Sequence, residues 1–205
     1  MFEDRFEAGR LLSDRIKPLI DKKTILYAIP RGGVVVAAVI SKRLDLSFFL
    51  VVVKKIGAPH NPELALGAVG PQNALYLDDD LIKRVGVSES ELKQLISEKR
   101  QELRVREKLF SIRYPNILSG KSVVLVDDGI ATGATVRAAL IFLKKKKPRE
   151  IILATPVIAR DTYDAFLPIF DRIVALEVSD IFGSVGQFYH DFTQVTDEDI
   201  RAFKR

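Results

Sequence analysis

The 205-residue chain has no cysteine, one methionine and only two histidines, His60 and His190. Without cysteine there is no disulfide framework and no thiolate chemistry. Two histidines exclude a multi-histidine metal centre. No apolar stretch reaches the ~20 residues needed to span a bilayer, and the N-terminus, Met1-Phe2-Glu3-Asp4-Arg5, is charged and unlike a signal peptide. The expectation is a soluble, cytoplasmic protein with no membrane partner.

What is present points to a folded domain. Hydrophobic residues make up 47% and charged residues 29%, enough for a sizeable core inside a solvated surface. The length suits one domain, 1–205, with an elaborated loop or small subdomain. A net charge of +5 favours anionic partners in general, whether nucleic acid, phosphorylated metabolites or an acidic surface, without choosing among them.

The apolar pattern alternates between strand and helix. Phe2–Ile20 has roughly helical spacing, Thr24–Ile29 is a short apolar run, Val34–Leu44 reads as a helix and Leu46–Val53 as a strand ending on Lys54-Lys55. From Ile56 the pattern changes. Gly57-Ala58-Pro59-His60-Asn61-Pro62 is dense in turn formers, short strands are expected near Leu66–Val69 and Ala74–Leu77, and Ser88 with Glu91 forms a capping box opening a long polar helix to Phe110. Residues 56–120 read as an insertion between two core strands. The core pattern resumes with strands at Ser122–Val126, Glu150–Thr155 and Arg172–Leu176 and helices at Thr135–Lys146 and Arg160–Phe170; a glycine- and aromatic-rich tail, 177–205, follows. Such alternation predicts an α/β fold: a mostly parallel twisted sheet with helices on both faces. Lys144–Lys147 reads as a basic helix C-terminus, and nucleic acid is not expected as a partner.

The most informative stretch runs from Val123 to Thr135. A buried strand delivers Asp127 and Asp128 to its C-terminal edge, where open α/β sheets bind ligands. Gly129–Ala134 is a small-residue turn before a helix, and a helix start offers unpaired N–H groups to a phosphate. Gly133 lets the backbone approach closely, and Thr132 and Thr135 add hydroxyl donors. The two carboxylates would repel a phosphate, so they call for hydroxyls or a cation. A ribose 5-phosphate meets both demands, and Mg²⁺, which prefers oxygen ligands, completes the charge balance. The plainer reading, that Asp127 and Asp128 cap the turn, explains the acids but not the whole segment.

Four apolar residues, two acids, a short spacer and Thr132-Gly133-Ala134-Thr135 closely resemble the ribose-phosphate signature of the type I phosphoribosyltransferases. The resemblance implies that Asp127 and Asp128 hold the ribose hydroxyls, and meet Mg²⁺ through water or those hydroxyls. Gly129 and Ala131–Thr135 would wrap the 5-phosphate of phosphoribosyl pyrophosphate. Ile29-Pro30-Arg31-Gly32-Gly33 resembles the family's pyrophosphate loop in its basic-Gly-Gly version. Arg31, Gly32 and Gly33 would then bind the leaving group, with the Pro30–Arg31 peptide cis. One of Lys54 and Lys55, expected on the same sheet edge, would add a pyrophosphate contact; an ordinary solvated strand end is the other reading. The region after Lys55 sits where family members have a flexible loop, and His60 is a loop residue with no assigned role. The tail corresponds to the family's hood, where Phe182 and Phe188 either stack on a base or belong to the core, the latter being favoured.

Ala131 stands where the 6-oxopurine enzymes of the family have an aspartate. The implied activity is therefore transfer of ribose 5-phosphate to a nitrogenous acceptor other than a 6-oxopurine, with Arg31, Asp127 and Asp128 as catalytic groups and a homodimer as the expected assembly. Lys-Lys-Ile-Gly-x-Pro-x-Asn-Pro-Glu after the second strand looks like a less well characterised group within the family. The alternatives are a non-catalytic regulator that binds phosphoribosyl pyrophosphate, and a hydrolase of a phosphoribosyl compound.

Overall fold

The computed structural model describes residues 1–203; the last two positions of the expected hood, Lys204 and Arg205, lie outside the described residues. In chain order the elements are α1 (Arg5–Ile16), β1 (Ile25–Ala28), α2 (Gly32–Leu44), β2 (Phe48–Leu50), β3 (Lys54–Ala58), β4 (Asn61–Val69), β5 (Leu75–Leu77), α3 (Asp79–Val85), α4 (Glu89–Leu109), β6 (Ser122–Val126), α5 (Ala134–Lys144), β7 (Glu150–Ala159), α6 (Arg160–Phe166), β8 (Arg172–Ser179) and α7 (Asp197–Phe203). They form two compact units: Met1–Leu50 with Pro115–Thr132 and the chain from Lys146 onward, and Val51–Tyr114 with Gly133–Lys145.

The first unit holds a five-stranded sheet of order β2-β1-β6-β7-β8, parallel at every pairing. This is the α/β fold with a parallel sheet that the alternating pattern predicts. All five residues of β6 and all four of β1 are buried, as expected of strands covered on both faces. Helices α1 and α2 pack on one another, with Gly9 lying against Val36 and Val39, and they bury Leu12, Ile16, Val36 and Ile40. The decisive feature is register. Adjacent β1 and β6 run in parallel, with Ala28 opposite Val126, so the loops that follow them leave the same edge at the same height. Ile29 N–H donates to Val126 O at 2.9 Å and carries the pairing one step further.

The second unit is built on an antiparallel sheet, β3-β4-β5. Small side chains let α5 approach it closely: Ala134 and Ala138 of the helix meet Ala65 and Ala68 of β4. Helix α4 starts at the Ser88–Glu91 capping box read from the sequence, and Leu103 is its buried residue.

Several boundaries depart from expectation. The apolar run Leu46–Val53 pairs only over Phe48–Leu50; Val51 and Val52 stay buried but leave the parallel sheet. Lys54 and Lys55 therefore do not end a core strand. They open β3 in the second unit, because apolar residues at consecutive positions do not reveal where pairing stops. The turn-rich stretch 57–62 is a β-hairpin, with Ala58 opposite Asn61 and an exposed His60 at its tip. The predicted helix Arg160–Phe170 ends at Phe166. Among the described residues no helix is long and apolar enough to cross a membrane.

Candidate functional site

The two loops that follow β1 and β6 interlock. A Cβ placed on Gly32 would overlap the Asp128 carboxylate, and one on Gly33 would lie 2.9 Å from Asp127 Cα and from Val126 O. Neither glycine has a positive φ. They serve here by having no side chain, which lets the Arg31 loop lie directly against the acidic pair, rather than through the unusual backbone angles that a Gly-Gly turn suggests in sequence. The Pro30–Arg31 peptide is cis, as the resemblance implied. Arg31 is exposed and stands at the N-cap of α2.

The acids differ in their surroundings. Asp127 is buried, at 9% exposure, and its Oδ1 accepts the Asp128 N–H at 3.0 Å. Burial, and then the charge of Asp128, push its carboxyl well above the usual range. Asp128 is instead tied down. Its Oδ2 accepts Arg5 Nε at 2.7 Å, and its carbonyl accepts the Tyr189 hydroxyl at 2.6 Å. Burial, and after it the Asp128 charge, raise the Tyr189 phenol, which therefore stays protonated as a donor. Arg5 and Tyr189 were not singled out in the sequence; they lie 123 and 61 residues from Asp128.

Beyond the acids, the loop is pinned to β7. Ile130 N–H donates to Val157 O and Ala159 N–H to Ile130 O, both at 2.9 Å, and the Thr162 hydroxyl donates to Ala131 O. Thr162 also escaped the sequence reading. Ala131 and Thr132 are left exposed at the turn. The chain then enters the second unit at Gly133, whose φ of 71° lies in the left-handed region that glycine adopts freely. Gly133 is the N-cap of α5, followed by Ala134 and Thr135 in its first turn.

Helix starts separate into two kinds. Asp4, Asp78 and Ser88 cap α1, α3 and α4 with their side chains. Arg31, Gly133 and Ala159, at the starts of α2, α5 and α6, make no side-chain cap. Uncapped N–H groups with the positive end of the helix dipole suit an anion. Both expected anion sites thus lie at starts that the protein's own side chains leave open.

Lys54 and Lys55 are engaged inside the second unit, with Glu102 at 3.2 Å and Glu63 at 2.9 Å. In the tail, Phe188 is buried and Phe182 partly so, with ring centroids 5.0 Å apart. Both pack into the core cluster of Phe2, Val157 and Tyr189, which agrees with the core reading of these rings. No group of three or more metal-binding side chains occurs among the described residues, so a magnesium ion at this edge would meet the two carboxylates of Asp127 and Asp128. Two carboxylates fit Mg²⁺ where ligand oxygens and water complete the shell.

The acidic pair seated on a glycine loop lies at the C-terminal edge of a parallel sheet, the edge at which open α/β sheets bind ligands. The phosphoribosyl transferase domain family matches residues 4–193, and the chain belongs to that family. It is 38% identical over 208 aligned positions to two Mycobacterium tuberculosis proteins, from strains CDC 1551 and H37Rv, provisionally named phosphoribosyl transferases. The alignment covers 99% of this chain and 46% of each relative, so the chain spans about half the length of the curated relatives it matches. A crystal structure of a Thermus thermophilus protein is similar over 100% of this chain and 97% of its own, at 39% identity and TM-score 0.81. An Aquifex aeolicus structure, 13% identical with TM-score 0.55 over 98% of this chain and 83% of its own, shares the fold.

Proposed function

We propose that this domain binds phosphoribosyl pyrophosphate with Mg²⁺ and transfers its ribose 5-phosphate to a nitrogenous acceptor that is not a 6-oxopurine. The observation that carries this reading is the seating of Gly32 and Gly33 on Asp127 and Asp128. It sets a loop suited to pyrophosphate beside carboxylates suited to ribose hydroxyls, as a ligand carrying both groups on one sugar requires.

In this reading the bond from C1 to the pyrophosphate oxygen breaks and its electron pair leaves with pyrophosphate. The acceptor nitrogen forms the new bond to C1 and gives up its proton. Arg31 and the N–H groups at the start of α2 stabilise the departing anion, while Asp127 and Asp128 hold the ribose as positive charge develops at C1. Thr132, Gly133, Ala134 and Thr135 wrap the 5-phosphate. Asp127 and Asp128 would hold Mg²⁺ by way of water or ribose hydroxyls, and the ion would neutralise charge on the pyrophosphate. The protein's contribution is positioning and electrostatics, not covalent catalysis. Lys54 or Lys55 would reach the pyrophosphate only by leaving Glu102 or Glu63.

The test is pyrophosphate release from phosphoribosyl pyrophosphate and Mg²⁺ over a panel of bases and amines. Release dependent on one acceptor supports the transferase. Release with water alone would make the protein a hydrolase, and binding without turnover would make it a regulator. Guanine and hypoxanthine are expected to give little turnover, because Ala131 offers no carboxylate to a 6-oxopurine; efficient nucleotide formation from guanine would overturn that restriction.

A further inference from the structure

The N-terminal residues run along the tail. Phe2 N–H donates to Phe188 O at 2.7 Å, and His190 and Asp191 donate back to Phe2 O and Glu3 O, each at 2.8 Å. Two side chains carry this seam onto Asp128. Arg5 Nε holds the carboxylate and the Tyr189 hydroxyl holds the carbonyl of the same residue. Arg5 is itself fixed by two further contacts: its Nη1 donates to Thr193 O at 2.9 Å, and its guanidinium lies 3.8 Å from the Phe192 ring centroid. The Arg5 and Asp128 side chains are 9% and 14% exposed. A planar guanidinium can satisfy a carboxylate, a carbonyl and an aromatic face together, which an ammonium cannot.

We propose that Arg5 and Tyr189 are positioning residues for ribose recognition: they clamp Asp128 at its side chain, through Oδ2, and at its main chain, and so hold its carboxylate in place for a ribose hydroxyl. The proposal rests on the phosphoribosyl pyrophosphate reading above. Arg5 also offsets the charge of two adjacent carboxylates, which would otherwise repel the phosphates of the ligand. A purely structural role, tying the N-terminus to the tail, would lower stability but would not single out one part of the ligand.

Calorimetric titrations with phosphoribosyl pyrophosphate, ribose 5-phosphate and inorganic pyrophosphate, all with Mg²⁺, separate these cases for the wild type, Arg5→Gln, Arg5→Lys, Tyr189→Phe and Asp128→Asn. Arg5→Gln is expected to weaken both ribose ligands by about tenfold or more, while pyrophosphate changes by less than about twofold. Arg5→Lys recovers part of the loss, Tyr189→Phe gives a smaller loss of the same kind, and Arg5→Gln adds little to Asp128→Asn because both remove one interaction. Arg5 lines a cavity of about 210 Å³, so a shorter side chain there has room; should Arg5→Gln not fold, Arg5→Lys and Tyr189→Phe report the same selectivity. Unchanged ribose affinity in folded Arg5 variants, or an equal loss for pyrophosphate, overturns the clamp while leaving the parent reading intact. A wild type that does not bind phosphoribosyl pyrophosphate, or an Asp128→Asn protein that binds it normally, overturns the parent reading and the clamp with it.

Discussion

Two ion pairs of similar length have different surroundings. Arg5–Asp128 in the first unit spans 2.7 Å with side chains 9% and 14% exposed. Lys55–Glu63 in the second spans 2.9 Å with side chains 36% and 91% exposed. Water screens the second pair and competes for both its partners, so it is worth about 0–1 kcal/mol. The first has lost most of its water, and removing one partner of such a pair costs up to about 3–5 kcal/mol, because the other charge is left uncompensated. The same contrast runs through the two units. Strand β6 buries all five of its residues and leads into an acid fixed by Arg5 and Tyr189. Helix α4, a capped helix of 21 residues, buries only Leu103. Around Asp128 the polar groups are held in fixed positions, whereas the hairpin that carries Lys55 and Glu63 keeps its charges in solvent.

The largest effect expected is from Gly32→Val. Its Cβ would overlap the Asp128 carboxylate and lie 2.8 Å from Arg5 Nε, and a β-branched side chain has little rotamer freedom to escape. Binding of phosphoribosyl pyrophosphate should fall below detection by calorimetry, and overpacking should cost about 1–3 kcal/mol of stability in thermal melts. Normal binding by this variant would mean that the two loops need not touch, and the contrast between a fixed and a solvated region would lose its basis.

Next in size is the pH dependence that Asp127 imposes on the ligand-free, metal-free protein. Its folded pKa is raised by burial and by the Asp128 charge, so the native state holds this proton more tightly than the unfolded chain does. The contribution to stability is complete below the unfolded value, about 4, and is lost as pH rises through the raised folded value. Asp21, Glu102 and Glu150 have the opposite sign, with pKa values lowered by hydrogen bonds and nearby cations; their support is lost on acidification. Asp127→Asn removes the falling limb. Melting curves from pH 4 to 8 should show the variant gaining on the wild type as pH increases. A constant difference across that range would mean that Asp127 titrates as an ordinary carboxyl.

How much of this is legible in the sequence follows from where the information lies along the chain. The segment Val123–Thr135 can be read because its strand, acids and turn are contiguous, and the period of burial is written into one stretch. The parallel order of β1 and β6 follows from the alternation of strand and helix. Arg5 cannot be read: an arginine near the start of an amphipathic helix looks like any solvated cation, and its partner lies 123 residues away. A weak signal exists in Phe2 and the aromatics of 188–192, whose packing together needs the chain ends to meet. Lys54 and Lys55 are misplaced by the sequence pattern because Val51 and Val52 stay buried after strand pairing has stopped, so hydrophobicity alone overextends the strand. The hairpin around His60 reads as a loop because Gly57, Pro59 and Pro62 outweigh the strand residues beside them in any local reading.

In the second unit the cap on α4 should matter more than its charges. Ser88 accepts the Glu91 N–H, and the Glu91 side chain accepts the Ser88 N–H. Ser88→Ala removes half of this box and should cost about 1 kcal/mol, read as a lower urea midpoint with unchanged slope. No change at all would mean that this end of α4 is frayed in solution.

The smallest effect belongs to the exposed pair. Glu63 is 91% exposed and meets Lys55 at 2.9 Å, so Glu63→Gln exchanges one solvated hydrogen bond for another and should change stability by less than about 0.5 kcal/mol. Salt sharpens the comparison. At about 1 M the screening length falls to about 3 Å, so whatever the Lys55–Glu63 pair contributes should vanish, and Glu63→Gln and wild type should then melt together. Asp128→Asn, tested in the same buffers, should stay less stable than wild type at high salt, because a pair with side chains 9% and 14% exposed is screened far less than one in water. If the two variants respond alike to salt, the Arg5–Asp128 pair is as wet as the one at Lys55, and the contrast between the two regions is wrong.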